Sequence, residues 1–327
     1  MTRWLFTRIG MIAVSLCVEL SGSVAAASAI SGTQIERAPE NGIVGGNAVV
    51  NTQSFEYKHT ARLLIAAVTE GADLPPPLRG LKISWRCSAA ILSTTVLVSA
   101  AHCFPKIIGL KDSASNQIYR ARLKDLKLEA FFKTDPRKDQ ISGIFAKKVV
   151  VHEGFRDDWV NHTPDVWNPP EPVNDVALIQ LQSTIPNDKS PVELLSRNDK
   201  PLNAGDSLVM AGYGRDLGDE QISLPRLRSV TVPFRESLRN RTEFFAGQGD
   251  ILRAGRVERP AGGCLGDSGG PVFIERGGLV RLAGLIVRGP DDANGGCAAA
   301  VTISTSLTSF SDWISARLKD PSTSIIE

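Results

Sequence analysis

The sequence predicts an all-β protein of sandwich or barrel type. Short apolar runs rich in Val, Ile and Leu recur along most of the chain, Gly, Pro, Asn or Asp bound most of them, and helical periodicity is confined to one segment near the end. In chain order the strand-like runs are "ARLLIAAV" (61–68), "CSAAILSTTVLVSA" (87–100), "KKVVVHEGF" (147–155), "NDVALIQL" (174–181), "DSLVMAGYG" (206–214), "RLRSVTVPF" (226–234), "GGPVFIE" (269–275), "LVRLAGLIV" (279–287) and "AVTIS" (300–304). The helical segment is "SLTSFSDWISARL" (306–318), where Leu307, Phe310, Ile314 and Leu318 recur at the spacing of one helix face. Two stretches read as long loops: "PKIIGLKDSASN" (105–116), and "RDDWVNHTPDVWNPPEPVN" (156–174) with its four prolines.

The first residues carry a different message. Arg3 and Arg8 stand at the start of "IGMIAVSLCVEL", and "SGSVAAASA" follows, the layout of a secretory signal peptide with cleavage expected between Ala26 and Ala29. The apolar run is too short for a permanent membrane anchor. A secreted or periplasmic protein is expected, with no membrane insertion once residues 1–29 are removed. The 327 residues carry 37 Lys and Arg against 35 Asp and Glu, a formal charge of +2. So even a balance gives no sign of the basic stripe that neutralises phosphates, and nucleic acid is not expected as a partner.

Export changes how the cysteines read, because thiols pair in an oxidising compartment. Cys17 leaves with the signal peptide, so Cys87, Cys103, Cys264 and Cys297 remain, and four cysteines allow three connectivities. No Cys or His spacing suggests a metal, and no cofactor is implied.

Acyl transfer by a serine needs a base to take its proton, a group to orient that base, and donors for the oxyanion that forms. "SAAHC" (99–103) puts His102 just after an apolar strand, "NDVALIQL" puts Asp175 at the mouth of another, and "GGCLGDSGGPV" (262–272) puts Ser268 in a glycine-rich turn. His–Asp–Ser is one of the chain orders known for this triad. Taken singly, each residue has a plain structural role open to it; His59, His152 and His162 keep that reading.

With "IVGG" (43–46), "SAAHC", "NDVALIQL", "AGYG" (211–214), "GDSGGP" (266–271) and the terminal helix bearing Trp313 in this order, the chain resembles the chymotrypsin-like (trypsin-fold) serine protease family over residues 43 to about 318. The resemblance implies two six-stranded antiparallel β-barrels with the active site between them and a C-terminal helix. It places the first barrel at about 43–190, the second at about 191–305 and the helix at about 306–318, behind a propeptide at 30–42. Ser268 becomes the nucleophile, His102 the general base and acid, and Asp175 the carboxylate orienting His102. Gly266 and Ser268 supply the oxyanion-hole N–H groups, and the cysteines pair Cys87 with Cys103 and Cys264 with Cys297. Asp267 is expected to pair with the α-amine of Ile43 after proteolytic activation.

The chain departs from the family pattern at two places. Gly42 precedes Ile43 where a tryptic activator needs Arg or Lys, so the activating protease is left unnamed. Gly262, six residues before Ser268, stands where trypsin-like members carry the aspartate that binds Arg or Lys, and Gly263 follows it. With Val287, Arg288 and Gly289 as a wall and Thr302 narrowing the pocket, cleavage after small or medium apolar residues is expected. Asp291 or Asp292 folding into the pocket is the alternative. Trp159 and Trp167 are candidates for an apolar wall beside the cleft. The function expected is that of a monomeric endopeptidase acting on proteins or peptides; a catalytically silent pseudoprotease or locked zymogen is the alternative.

Overall fold

The computed structural model describes residues 43, 46–113, 115–134, 143–156, 173–214, 226–247, 261–289 and 301–319. The expected signal peptide and propeptide, Trp159, His162, Trp167, Asp291, Asp292 and Cys297 lie outside the described residues.

A short strand β1 (Asn47–Ala48) and a helix α1 (Phe55–His59), capped by the Ser54 hydroxyl, precede two closed antiparallel barrels. The first barrel contains β2 (Thr60–Glu70), β3 (Lys82–Ile91), β4 (Val96–Ser99), β6 (Ile118–Phe131), β7 (Ile144–Val151) and β8 (Ala177–Leu181), in the order β2-β3-β4-β8-β7-β6, with β6 pairing back onto β2 to close it. Strand β5 (Ile107–Lys111) extends this sheet by pairing with β6. In the second barrel, β10 (Ser207–Gly212), β11 (Arg228–Ser237), β12 (Glu243–Gly247), β13 (Pro271–Arg276), β14 (Leu279–Arg288) and β15 (Val301–Ser306) close through the β11–β12 pairing, while β1 joins β11 and the two-residue β9 (Glu193–Leu194) runs parallel to β14. A 3₁₀ turn over Leu307–Phe310 leads into α2 (Ser311–Lys319).

Alternation explains why these runs are strands. On β2, Leu63, Ile65 and Ala67 point into the first core while Leu64, Ala66 and Val68 are only half-buried. The stretch 105–116, read from sequence as a loop, instead carries β5. Ile108 and Leu110 point inward and pair with Ala121 and Tyr119, and Gly109 between them hides the alternation. A third apolar cluster forms the seam between barrels, joining Val98, Val176 and Leu178 of the first to Tyr213, Phe273, Leu282 and Leu285 of the second. Leu307, Phe310 and Ile314 of the terminal segment close its end; Leu318 stays partly exposed. His152 serves the scaffold, lying between the rings of Phe310 and Trp313, while Glu153 accepts hydrogen bonds from Trp313 Nε1 (2.8 Å) and Arg317 (2.9 Å).

Candidate active site

His102 lies in a 3₁₀ turn (Ala101–Cys103) immediately after β4, and Asp175 lies just before β8, the strand that pairs with β4. Strand pairing therefore brings the two together across 73 residues of sequence. One carboxylate oxygen of Asp175 accepts the His102 backbone N–H at 2.9 Å and the other faces Nδ1 at 2.7 Å. An ionised carboxylate can only accept, so Nδ1 carries a proton, and a neutral ring then presents its lone pair at Nε2. Asp175 is buried, and its own carbonyl accepts the Thr305 hydroxyl from β15 at 3.0 Å. Burial pushes the Asp175 carboxyl upward, but the adjoining His102, its two hydrogen bonds and the Arg288 charge hold it below its ordinary value.

Ser268 occupies a turn between the barrels. Its carbonyl accepts the Ser88 N–H at 2.8 Å, and Cys103 Sγ lies 3.7 Å from the same oxygen. The Ser88 hydroxyl donates to the Gly266 carbonyl (3.1 Å) and accepts from the Tyr213 N–H (2.9 Å), so one small side chain ties the His102 half to the serine turn. The sequence reading did not single out Ser88; its place one residue beyond Cys87 is the signal that could have found it. Gly269, at φ +77°, passes so close to β4 that an added Cβ would lie 1.9 Å from Ser99 Oγ. Among the described residues the Gly266 and Ser268 N–H groups enter no hydrogen bond, which leaves both donors available. No hydrogen bond joins the His102 ring to Ser268 Oγ. Such contacts often tighten only when substrate is bound.

Cys87 and Cys103 are bonded, with Cα atoms 6.4 Å apart, which pins the His102 turn to β3. Closing a loop of this length contributes about 3 kcal/mol in the chain-entropy account. Cys264 is also disulfide-bonded.

Asp267, beside the serine, is fully buried and accepts the N–H groups of Gly214 (2.8 Å) and Cys264 (3.1 Å). Burial pushes its carboxyl up to about 7 despite these bonds and the Arg228 charge. Ile43 is buried in the second-barrel core with Met210 of β10, the strand that leads to Gly214.

At the expected pocket, Gly262 is buried and the Gly263 N–H donates to Thr302 Oγ1 at 2.8 Å. A Cβ at Gly263 would sit 2.6 Å from Ile286 Cγ2, so that position has no room for a side chain. Val287 is buried, and Gly289 is described just past the end of β14. Arg288 grips the buried Glu243 of β12 through both guanidinium nitrogens, and Asn240 Nδ2 donates to the same carboxylate at 2.8 Å. Glu243 and Asn240 carry no motif in the sequence and are legible only once β12 and β14 are placed around β15.

A sequence model of the family described as trypsin matches residues 77–314. The chain is 26% identical over 246 residues to the hepatocyte growth factor activator serine proteases of Canis lupus familiaris, covering 71% of this chain and 33% of that protein. It is 26% identical over 217 residues to a trypsin of Sarcophaga bullata (64% of this chain, 71% of that protein). Similarity to the CLIP domain-containing serine protease C9 of Anopheles gambiae is 25% over 285 residues (79% of this chain, 64% of that protein). The chain thus spans about a third of the first of these relatives and about two thirds of the third.

Proposed function

Because the chain belongs to the trypsin family, we propose that it is an exported serine endopeptidase whose triad is His102, Asp175 and Ser268. The observation that carries this reading is the doubly hydrogen-bonded, buried Asp175 beside His102, with the Ser268 turn packed on the same strands. Ser268 Oγ forms a bond to the substrate carbonyl carbon as its proton passes to His102 Nε2, and the carbonyl oxygen gains the negative charge. The N–H groups of Gly266 and Ser268 bind that oxygen, and the C–N bond then breaks as His102 returns the proton to the leaving amine. Water repeats the sequence on the acyl-enzyme. The N-terminal segment and the Cys87–Cys103 disulfide support an oxidising, exported setting.

Cleavage after small or medium apolar residues is supported by Gly262, which offers no carboxylate to a substrate cation, and by Thr302 held against Gly263. Burying a substrate cation without a partner costs several kcal/mol, more than its apolar stem recovers.

A precursor state is favoured by Asp267. Its carboxyl is pushed to about 7 while its described hydrogen-bond partners are neutral N–H groups, the situation that a newly freed ammonium of Ile43 would relieve. Labelling with a fluorophosphonate before and after limited proteolysis tests both parts. Labelling of Ser268 that rises sharply once the N-terminus is Ile43 is the expected result; no labelling in either form refutes the enzyme and leaves a binding protein.

A further inference from the structure

The near-neutral total charge conceals a basic face on the outside of the first barrel. On β6, Arg120, Arg122 and Lys124 share the outer face; Asp125, at φ +53°, forms a bulge, and Lys127 resumes the row. Strand pairing sets Val68 of β2 between Lys124 and Lys82 of β3, and Ala66 between Lys127 and Ser84. A half-buried apolar seam of Leu64, Ala66 and Val68 therefore runs between two basic rims. Lys124 bridges to Glu70 at 3.1 Å, and Glu129 also lies on this face, but Lys82, Arg120, Arg122 and Lys127 take part in no ion pair among the described residues.

The same face holds exposed apolar side chains. Ile107 on β5 stands opposite Arg122, Ile118 stands opposite Lys111, and Phe145 on β7 stands opposite Glu129. Their relative exposures are 38%, 59% and 46%. A plain polyanion would leave these groups wet or desolvate its own charges against them, so the mixture selects a partner that mixes acidic with apolar residues.

The face also leads into the cleft. Along β3 the outer row runs Lys82, Ser84, Arg86 and then Ser88, whose N–H donates to the Ser268 carbonyl. Neighbours in such a row are about 7 Å apart, within the reach of a single bound chain.

We propose that this face is a docking site for acidic, apolar-rich segments of protein substrates, engaged outside the residues that flank the cut. The proposal rests on the endopeptidase reading for its purpose but not for its detection. The test is the affinity of a fluorescent dodecapeptide of four Glu-Glu-Leu repeats for the Ser268→Ala protein, read by anisotropy in 50 mM NaCl. We expect saturable binding, weakened at least ten-fold by the combined Arg122→Glu, Lys124→Glu and Lys127→Glu changes and less by the corresponding Gln set, whose milder chemistry guards against misfolding. A Glu-Glu-Ser peptide should bind at least ten-fold more weakly, since it has no apolar side chain to bury. Binding should also fade as salt rises to 500 mM. Absent binding, equal affinity for the two peptides (a surface for polyanions such as nucleic acid), or unchanged affinity in both variant sets would overturn the proposal. A wild-type enzyme that cleaves nothing while the Ser268→Ala protein binds the peptide refutes the endopeptidase reading alone.

Discussion

Asp175 and Asp267 are both shut off from solvent, and each accepts two hydrogen bonds, yet burial loses at the first and wins at the second. Both donors to Asp175 come from His102, whose ring can take up positive charge, and Arg288 adds its field. Asp267 has neutral backbone donors and only the Arg228 charge. Two neutral N–H groups do not offset the desolvation of a carboxylate; a partner that is or becomes cationic does. Asp175 thus has a partner able to carry positive charge within hydrogen-bond reach, whereas Asp267 has none among the described residues.

The largest effects should come from breaking the proposed triad, to which Asp175 belongs. Ser268→Ala or His102→Ala should each lower turnover by about 10⁶ and leave the thermal midpoint almost unchanged, and the double variant should be no worse, since a triad acts as a unit. Additive losses in steady-state kinetics would contradict the shared role. Asp175→Asn should cost about 10⁴, because an amide facing Nδ1 favours the wrong tautomer. Recovery of most of that loss at any pH would mean that Asp175 does not orient His102.

Asp267→Asn tests the aspartate that lacks such a partner, and its effects should differ between the proposed precursor and the trimmed enzyme. A carboxyl raised from its ordinary value to about 7 binds its proton more tightly folded than unfolded. Its contribution to precursor stability is therefore fully present below about pH 4 and is lost as pH rises through about 7, after which it levels. The Asn variant should flatten that slope in urea melts, with a net change of about 1–2 kcal/mol at pH 8, where losing a buried charge offsets losing an acceptor. In the form beginning at Ile43 the same change, or acetylation of the Ile43 amine, should lower kcat about 10²- to 10³-fold by loosening the oxyanion donors. An unaltered pH slope in the precursor, or full activity after acetylation, would remove the contrast between the two aspartates.

How much of this was legible in the sequence follows from which contacts are local. The apolar runs that became β2, β3, β4, β8, β10, β13 and β14 face a core, so their residues announce them. Strand β5 was missed because Gly109 breaks its alternation, and β6 because its outer face is charged. His102, Asp175 and Ser268 were nameable because short motifs surround them. Ser88, Glu243 and Asn240 were not, since each depends on a partner from a distant stretch: Ser88 on Gly266 and Tyr213, Glu243 on Arg288, Asn240 on the anion so fixed. Net charge hid the basic face because acidic residues elsewhere balance it, and pairing β3, β2 and β6 adds Lys82 and Arg86 to the row that β6 already carries.

The smallest expected effect concerns the proposed specificity pocket beside the Ser268 turn. Thr302 Oγ1 accepts the Gly263 N–H, while its Cγ2 lies 3.5 Å from where a Cβ on Gly263 would be. The hydroxyl thus fixes the Gly263 backbone and the methyl fills space beside it, and the two roles separate by substitution. Thr302→Ser keeps the acceptor and removes one methyl group, which in an apolar pocket changes discrimination by about 1 kcal/mol. The ratio of kcat/KM for Leu over Ala before the cut should rise about five- to ten-fold, with kcat on the better substrate nearly unchanged. Thr302→Val keeps the shape but removes the acceptor of the part-buried Gly263 N–H, so it should cost about 1 kcal/mol of stability and lower activity on both substrates alike. A peptide panel in which Thr302→Ser leaves the ratio unmoved would show that Thr302 does not line the pocket. Faster cleavage after Arg or Lys than after Ala, Val and Leu would overturn the apolar assignment itself.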